Sequence, residues 1–461
     1  MPITGAFMVP HPPLIVEEVG HGKEKAIIKT MEAYREVANR IAALKPETIV
    51  LTTPHSIMYS DYFHISPGFT AEGDFSQFGA GKVRFKVSYD GEFISELAHL
   101  LYENGFPGGT EGEREKSLDH ATMVPLYFIN KEYTDYKLVR VGLSGLSAMS
   151  HYTLGEYIKT ISNQLERNVV FVASGDLSHK LIVDGPYGFQ KEGPEYDERI
   201  MKSMGNGNFL DLFHYDVSFC DKAAECGHKS FLIMAGALDK THVKAEQLSY
   251  EGPFGVGYGI CAFTVMGQDE TRDYGKQYME EYQKEMKARK ASEDIYVQLA
   301  RQSLESYVIQ NKIISLPDYL PTEMTQKQAG TFVSIKKDGQ LRGCIGTTAP
   351  TSNSVAEEII FNAISAGTKD PRFDPITEDE LPDLVYSVDV LGDTELISSM
   401  EQLDVKRYGV IVTRGRRRGL LLPNLDGVDT VEEQISISKR KAGIEEDEEV
   451  TLERFEVIRH I

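Results

Sequence analysis

Three histidines in the first half of the chain each directly follow a predicted strand. His11 stands in Val-Pro-His-Pro-Pro, His55 in Thr-Pro-His-Ser, and His179 in Ser-Gly-Asp-Leu-Ser-His. In an open α/β sheet, ligands collect beyond the carboxyl ends of the strands, so three imidazoles at that edge could converge on a metal or a substrate. Imidazole suits iron, zinc, copper and nickel. One such histidine alone is more often a strand-end residue with a local hydrogen bond; the shared placement of three indicates a metal.

Short apolar runs supply the strands that these histidines need. The strand patterns lie at 3–9, 48–52, 138–141 and 169–173, with a closing strand at 252–266. Helical patterns lie between them at 24–44, 93–101 and 157–165. Alternation of strands and helices, with strands that are mostly apolar, predicts an α/β sandwich over a largely parallel or mixed sheet.

A change in composition divides the chain. Twelve of the 22 residues in 269–290 are charged, six of each sign, which predicts a solvated linker helix. A helical pattern at 295–308 then leads into strand patterns at 331–335, 385–390, 410–412 and 420–422. We therefore predict an α/β domain over 1–267, a charged linker helix over 268–291 and a smaller α+β domain over 292–461.

The overall charge argues against two classes of partner. The 461 residues include 49 basic and 70 acidic ones, for a net charge of −21. Such a chain repels nucleic-acid backbones and anionic lipid, so we predict no nucleic-acid and no membrane partner. The N-terminus lacks a basic region and is not expected to be a signal peptide. The four cysteines show no paired spacing, which favours a reducing, cytoplasmic location. The sequence predicts no oligomeric state.

Common catalytic motifs are missing from the sequence. It contains no GxxxxGK[ST], GxGxxG, HExxH or GxSxG pattern. Their absence lowers the expectation of a nucleotide triphosphatase, a Rossmann oxidoreductase, a zincin or an α/β-hydrolase.

Several motifs in a fixed order make the first domain recognisable. They are His-Pro-Pro at 11–13, Thr-Pro-His-Ser at 53–56, Leu-Asp-His at 118–120 followed by Val-Pro-Leu at 124–126, and Gly-Asp-Leu-Ser-His at 175–179. This series resembles the LigB superfamily, which holds the class III extradiol ring-cleavage dioxygenases and the Memo proteins. The resemblance covers roughly 1–267.

The second domain resembles the AMMECR family over roughly 292–461. The motifs are Leu-Arg-Gly-Cys-Ile-Gly at 341–346, Asp-Pro-Arg-Phe at 370–373, Gly-Leu-Leu-Leu-Pro at 419–423 and Lys-Ala-Gly-Ile at 441–444. The fusion of the two domains resembles the bacterial AmmeMemoRadiSam system. The resemblance implies a radical S-adenosylmethionine protein as partner.

The resemblance also implies roles for individual residues. His11 and His55 would be metal ligands, and His179 would be the acid/base next to the substrate, with Asp176 and His120 lining the site. The cofactor would be one divalent metal ion, iron(II) in the first place and zinc or copper as alternatives. The substrate would be a small aromatic molecule. Asp176 stands three residues before His179, and we expect its carboxylate to orient that imidazole if the two lie close.

The identity of the third ligand is open between two neighbours, Glu225 and Cys226. Extradiol dioxygenases have a carboxylate there and Memo proteins a cysteine, and the Cys-Gly step fits Memo. A carboxylate favours ferrous oxygen chemistry, whereas a thiolate favours zinc or copper(I). His228 is expected on the helix surface. In a further alternative, His179 is the third ligand and both neighbours are structural.

Two features of the second domain carry weaker signals. Cys344 is expected in a loop after a strand, beside Arg342, which could lower the pKa of its thiol. The only histidine in this domain is His460, so we favour a tight turn in which Arg342 binds a carboxylate. The basic cluster at 414–418 is expected to be a solvated hairpin loop, with an anionic ligand or partner as the alternative.

The sequence is compatible with three functions. The first is a metal-dependent oxygenase or redox enzyme of the extradiol type, acting on a small aromatic molecule. The second is a non-catalytic metal-binding scaffold whose AMMECR part docks the radical S-adenosylmethionine partner. The third is a hydrolase that uses zinc-bound water.

Overall fold

The computed structural model describes residues 2–112, 117–337, 339–425 and 427–461. The chain forms two compact units, the first ending at Tyr282 and the second beginning at Gln283. In the described part of the chain, no helix is both long and apolar enough to span a bilayer.

The first unit alternates strands and helices. Its strands are β1 (Ile3–Val9), β2 (Thr48–Thr53), β3 (Phe63–His64), β4 (Thr70–Phe75), β5 (Ala80–Ser88), β6 (Gly108–Gly109), β7 (Lys137–Gly142), β8 (Val169–Ser174), β9 (Thr241–Glu251) and β10 (Tyr258–Gln268). Its helices are α1 (Glu17–Gly20), α2 (Ile28–Leu44), α3 (Gly91–Glu103), α4 (His120–Glu132), α5 (Ala148–Gln164), α6 (Glu192–Asn206), α7 (Val217–Ala223) and α8 (His228–Ala237). A further helix, α9 (Tyr274–Ser292), continues past the end of this unit.

The main sheet of this unit is mixed, as predicted. Its order is β7-β2-β8-β1-β10-β9, in which the first four strands are parallel and the last two antiparallel. Both β2 and β8 are buried along their whole length, as expected for parallel strands covered on both faces. Val9 pairs with Ser174, and Thr52 pairs with Ala173. The chain therefore leaves β1, β8 and β2 at adjacent points of one sheet edge.

Two boundaries in this unit differ most from the prediction. The helix expected over 157–165 begins at Ala148, because Ser147 caps it by accepting a hydrogen bond from the backbone N–H of Ser150. The closing strand begins only at Tyr258, because the residues before it form a turn in which Gly255 has φ +84°. That left-handed backbone is one that glycine adopts without strain.

The second unit is α+β, as predicted. Its strands are β11 (Thr331–Lys337), β12 (Gln340–Gly346), β13 (Leu384–Leu391), β14 (Glu395–Ile397), β15 (Tyr408–Arg414), β16 (Arg417–Leu421) and β17 (Thr451–His460). Its helices are α10 (Ile295–Gln310), α11 (Thr322–Gln326), α12 (Val355–Thr368) and α13 (Val431–Lys441). The strands follow the order β12-β11-β13-β17-β15-β16, with β14 beside β17, and all these pairs are antiparallel.

The charged helix α9 is only partly solvated, which corrects the expectation of a wholly solvated linker helix over 269–290. Its first residue, Tyr274, is buried, and the ring of Tyr278 stacks on that of Phe213 with centroids 4.4 Å apart. Glu281 also pairs with His214 at 2.9 Å. Tyr274 and Tyr278 lie one helical turn apart and pack the N-terminal half of α9 against the rest of the first unit. The many charged residues around them hide this apolar stripe in the sequence.

Candidate metal centre

Three potential ligand atoms converge beyond the carboxyl ends of the parallel strands. His11 Nε2 lies 3.1 Å from His55 Nε2 and 3.6 Å from Cys226 Sγ. The ligand atoms of these three residues all lie within 4.8 Å of one another. A tetrahedral cation with ordinary bond lengths would hold two nitrogens about 3.3 Å apart, and a nitrogen and a sulfur about 3.5 Å apart. The two distances from His11 Nε2 therefore fit ligands of one metal ion.

Neighbouring groups fix the proton on the His11 ring. The backbone N–H of His11 donates to Asp176 Oδ1 at 2.7 Å, and its Nδ1 lies 3.1 Å from Ser174 Oγ. The Ser174 hydroxyl itself donates to the carbonyl of Ala121 at 2.7 Å, so its oxygen accepts from Nδ1–H of His11. The lone pair is consequently on Nε2, which is the atom that faces His55 and Cys226.

His55 follows β2 by two residues, and its ring lies against the imidazole of His120. Its backbone N–H donates to Thr53 Oγ1 at 3.2 Å. Its ring stacks on that of His120 with centroids 4.4 Å apart and an angle of 27°. His120 is the first residue of α4 and is capped by Asp119. The structure thus brings His120 beside the ligand pair, as the family resemblance implies.

The structure favours Cys226 over Glu225 as the third ligand. The Glu225 carboxylate accepts from the backbone N–H of His228 at 2.6 Å and from the Tyr196 hydroxyl at 3.5 Å, outside the three-atom cluster. The Cys226 backbone N–H donates to the carbonyl of Asp176 at 3.3 Å. His228 is buried and donates to the carbonyl of Leu212 at 2.8 Å, so its expected place on the helix surface is wrong.

A close contact between two glycines sets the position of Cys226. A Cβ added to Gly175 would lie 2.1 Å from the Cα of Gly227, a distance that no side chain tolerates. The loop after β8 and the loop before α8 therefore pack backbone against backbone. This contact brings Cys226 to the histidines and gives a physical reason for the Cys-Gly step.

His179 lies near the cluster without belonging to it. Its Nδ1 donates to the carbonyl of Ala224 at 2.6 Å, and the ring edge contacts Tyr187 with centroids 5.2 Å apart. Because a carbonyl can only accept, Nε2 carries the lone pair. Our expectation that Asp176 orients His179 is wrong: the Asp176 carboxylate accepts from the backbone of His11 and lies 3.9 Å from its Nε2.

Burial keeps the imidazoles of this site neutral. Burial lowers the pKa of His11 well below the ordinary value, and neighbouring imidazoles lower it further. It also lowers the pKa of His55 and His179, and lowers that of His120 to about 4. Neutral imidazole is the form that binds metals. Burial raises the pKa of the Cys226 thiol, so a nearby cation is needed to form the thiolate.

A cleft opens beside His55 and His120. Its volume is about 1020 Å³, and the β4–β5 hairpin supplies much of its wall, including Phe85, Arg84 and Lys86. Clefts that bind small molecules have volumes of about 300–1,000 Å³. The space next to the candidate ligands can therefore hold a single aromatic ring with its substituents.

Comparison with known families identifies the first unit. The family model described as the catalytic LigB subunit of aromatic ring-opening dioxygenase matches residues 5–261. The chain belongs to the LigB family. The AMMECR1 model matches residues 297–460, so the LigB unit is followed by an AMMECR1 domain. Both parts of the resemblance are confirmed, and membership in the LigB family supports a metal cofactor.

Known proteins match the whole of this LigB–AMMECR1 chain or a part of it. Protein CA_C1420 of Clostridium acetobutylicum is 42% identical and aligns with 100% of this chain and 99% of its own. A Thermotoga maritima protein is 51% identical over 36% of this chain and 96% of its own. The crystal structure of the uncharacterized protein PH0010 from Pyrococcus horikoshii is 33% identical, covering 36% of this chain and 88% of that one, with a TM-score of 0.34.

In the AMMECR1 domain, Cys344 lies within β12, which corrects its expected place in a loop. Ser334 Oγ on the neighbouring strand donates to Cys344 Sγ at 3.2 Å. Arg342 binds the Glu380 carboxylate at 2.9 and 3.0 Å, as the favoured interpretation has it. The basic cluster at 414–418 forms the β15–β16 hairpin with its turn, where Arg417 and Arg414 pair with Glu448.

Three residues of the site have no role in the sequence prediction. Ser174 and Thr53 are the last residues of their strands, and Asp119 caps the helix that carries His120. A strand that ends in a hydroxyl residue just before a histidine motif is the signal that could have pointed to Ser174 and Thr53. Asp before a helical run is an N-cap signal, and it could have pointed to Asp119.

Proposed function

We propose that the LigB unit is a metal-dependent oxygenase of the extradiol type that opens the ring of a small aromatic diol. One observation carries the proposal: His55 lines a cleft of about 1020 Å³, and its Nε2 lies 3.1 Å from that of the buried His11. Its support also includes the family description, which is that of an aromatic ring-opening dioxygenase subunit.

The residues at the site fit a single divalent ion, which we propose to be iron(II). His11 and His55 would hold it through Nε2, with Cys226 Sγ as the third protein donor. A bound iron(II) with open positions would supply the site at which dioxygen and the substrate oxygens meet. Ser174 keeps the His11 lone pair on Nε2, and burial keeps both imidazoles unprotonated.

His179 is suited to move the substrate proton. Its Nδ1–H is held by the Ala224 carbonyl, so Nε2 can accept a proton from a substrate hydroxyl and return it later. Burial lowers the pKa of this imidazole, so it starts unprotonated near neutral pH. His120, also neutral, lies on the cleft wall and can contact the substrate by a hydrogen bond or by ring contact.

Dioxygen uptake by anaerobically purified, iron(II)-loaded protein tests this function. With a panel of catechols that differ in ring substituents, we expect at least one to be consumed with one dioxygen per ring-opened product. The matched control is the His11→Ala protein treated identically, which should consume none. If every catechol leaves dioxygen unchanged while iron is bound in full, the LigB unit is not a ring-opening enzyme.

The sulfur donor favours a second candidate. Cys226 Sγ lies 3.6 Å from His11 Nε2, whereas Glu225 is outside the three-atom cluster. A soft thiolate suits zinc or copper(I) better than ferrous oxygen chemistry. The second candidate is thus a metal-binding scaffold whose AMMECR1 domain docks a radical S-adenosylmethionine protein. The family resemblance supports this partner protein for both candidate functions. Stoichiometric zinc or copper in freshly isolated protein, with no dioxygen uptake, would favour the scaffold.

A further inference from the structure

A hydrogen-bond network around Asp119 joins the strand that carries His55 to the helix that carries His120. Asp119 Oδ1 accepts from Thr53 Oγ1 at 2.7 Å and from the backbone N–H of Thr122 at 2.9 Å. Its Oδ2 accepts from the Thr122 hydroxyl at 2.8 Å. Thr53 Oγ1 in turn accepts from the backbone N–H of His55 at 3.2 Å. One carboxylate therefore fixes the end of β2 against the first turn of α4.

This fixation reaches the metal-facing rings. The rings of His55 and His120 stack 4.4 Å apart, and His55 Nε2 faces His11 at 3.1 Å. Movement of the first turn of α4 would displace His120 and withdraw the ring that supports one side of His55. The Asp119 carboxylate bonds to Thr53 and Thr122, which lie near the two rings in sequence, and not to the rings themselves.

A buried arginine holds the Asp119 charge in place. The Arg140 side chain is 1% exposed and that of Asp119 7% exposed, and Arg140 Nη1 lies 3.6 Å from Asp119 Oδ2. Arg140 also donates to Ser66 Oγ at 2.7 Å and to the carbonyl of Ser117 at 2.8 Å. Both charges are buried, so their attraction is poorly screened and holds the Asp119 carboxylate toward β7, the strand that carries Arg140.

We propose that Asp119 is a positioning residue of the metal centre, which sets the geometry of His55 and His120 from outside the ligand shell. The inference rests on the proposed metal site. Outer-shell groups that orient metal ligands contribute about 10–100-fold to metal affinity. We expect an effect of that size from Asp119, transmitted through Thr53 and through the helix start.

The chain contains a matched control at the other end of the same strand. Asp90 caps α3 as Asp119 caps α4, and its Oδ2 accepts from the hydroxyl of Thr48, the first residue of β2, at 2.5 Å. Asp90 is fully buried. Asp90→Ala thus removes a helix cap and a threonine hydrogen bond of the same kind, away from the histidines.

The experiment measures cobalt(II) binding by the metal-free full-length chain. We expect Asp119→Ala to lower cobalt(II) affinity about 10–100-fold and to change the visible spectrum of the bound ion. Asp90→Ala should lower the unfolding midpoint by about as much as Asp119→Ala does. Its cobalt(II) affinity and its visible spectrum should match those of the unmodified protein. Asp119→Asn retains the cap acceptor and loses the charge opposite Arg140; it should also weaken binding, and it decides the question if Asp119→Ala does not fold.

Two results would overturn the inference in different ways. If the folded Asp119 variants bind cobalt(II) as tightly as the unmodified protein, or if Asp90→Ala loses as much affinity as they do, Asp119 has no positioning role. The proposed metal site would then still stand. No cobalt(II) binding by the unmodified protein removes the proposed metal site itself, and the role of Asp119 with it.

Discussion

Changing both His11 and His55 to alanine is expected to abolish stoichiometric metal binding and to leave the chain folded. The double change removes two of the three converging donor atoms, and the buried Cys226 thiol does not ionise without a cation. Each lost ligand should cost more than the roughly 10–100-fold that an outer-shell partner contributes. The hydrogen bond from His11 to Asp176 comes from the backbone, so it survives the substitution. Elemental analysis and circular dichroism provide the two measurements.

The same experiment includes controls for surface histidines and for the third ligand. His99→Ala changes a histidine whose side chain is 65% exposed on α3 and should retain all of the metal. Cys226→Ala should lose metal, whereas Glu225→Gln should keep it, because the Glu225 carboxylate is turned toward the N-terminus of α8. Full metal content in the double histidine variant would refute the assignment of His11 and His55.

His179→Ala is expected to bind metal normally and to lose turnover. His179 is outside the three-atom cluster but close enough to interact electrostatically with His11 and His55, and its Nε2 carries the lone pair. Loss of a group that transfers a proton typically slows turnover about 10²–10⁴-fold. Metal titration and steady-state rates with a catechol that the protein consumes would measure the two effects separately.

His179→Gln separates the base from a merely structural group. Its amide can still donate to the Ala224 carbonyl, so the loop keeps its hydrogen bond, but it offers no nitrogen that accepts a proton. Slow turnover in both variants supports the acid/base role. Normal turnover in His179→Gln would show that His179 only holds the loop through its hydrogen bond to the Ala224 carbonyl. Loss of metal from His179→Ala, with Cys226→Ala and Glu225→Gln still loaded, would indicate a three-histidine site and favour the hydrolytic function.

The convergence of the histidines was predictable because it follows from topology. Apolar runs of strand length, separated by helices, predict a parallel sheet, and parallel neighbours end at the same edge. His11 and His55 leave β1 and β2 within two residues of the strand ends, so little chain remains to move them apart. The same logic placed His179 near the edge, since it follows β8 by five residues.

The finer features of the site depend on contacts between distant parts of the chain. Glu225 and Cys226 are neighbours in sequence, and the contact of Gly175 with Gly227 brings the second of them to the histidines. Asp176 is three residues from His179, yet its carboxylate is turned to the backbone of His11. The Asp119–Arg140 pair joins a helix cap to a strand. None of these distances can be inferred from the spacing of the residues along the sequence.

X-ray absorption at the metal edge of natively loaded, anaerobically purified protein tests the central claim most directly. We expect one sulfur neighbour and two imidazole nitrogens per metal ion, at lengths near the values of about 2.3 Å and about 2.0–2.1 Å that such bonds have to zinc. The sulfur signal should vanish in Cys226→Ser and persist in Glu225→Gln. A first shell of nitrogen and oxygen alone in the unmodified protein would contradict the His11–His55–Cys226 centre.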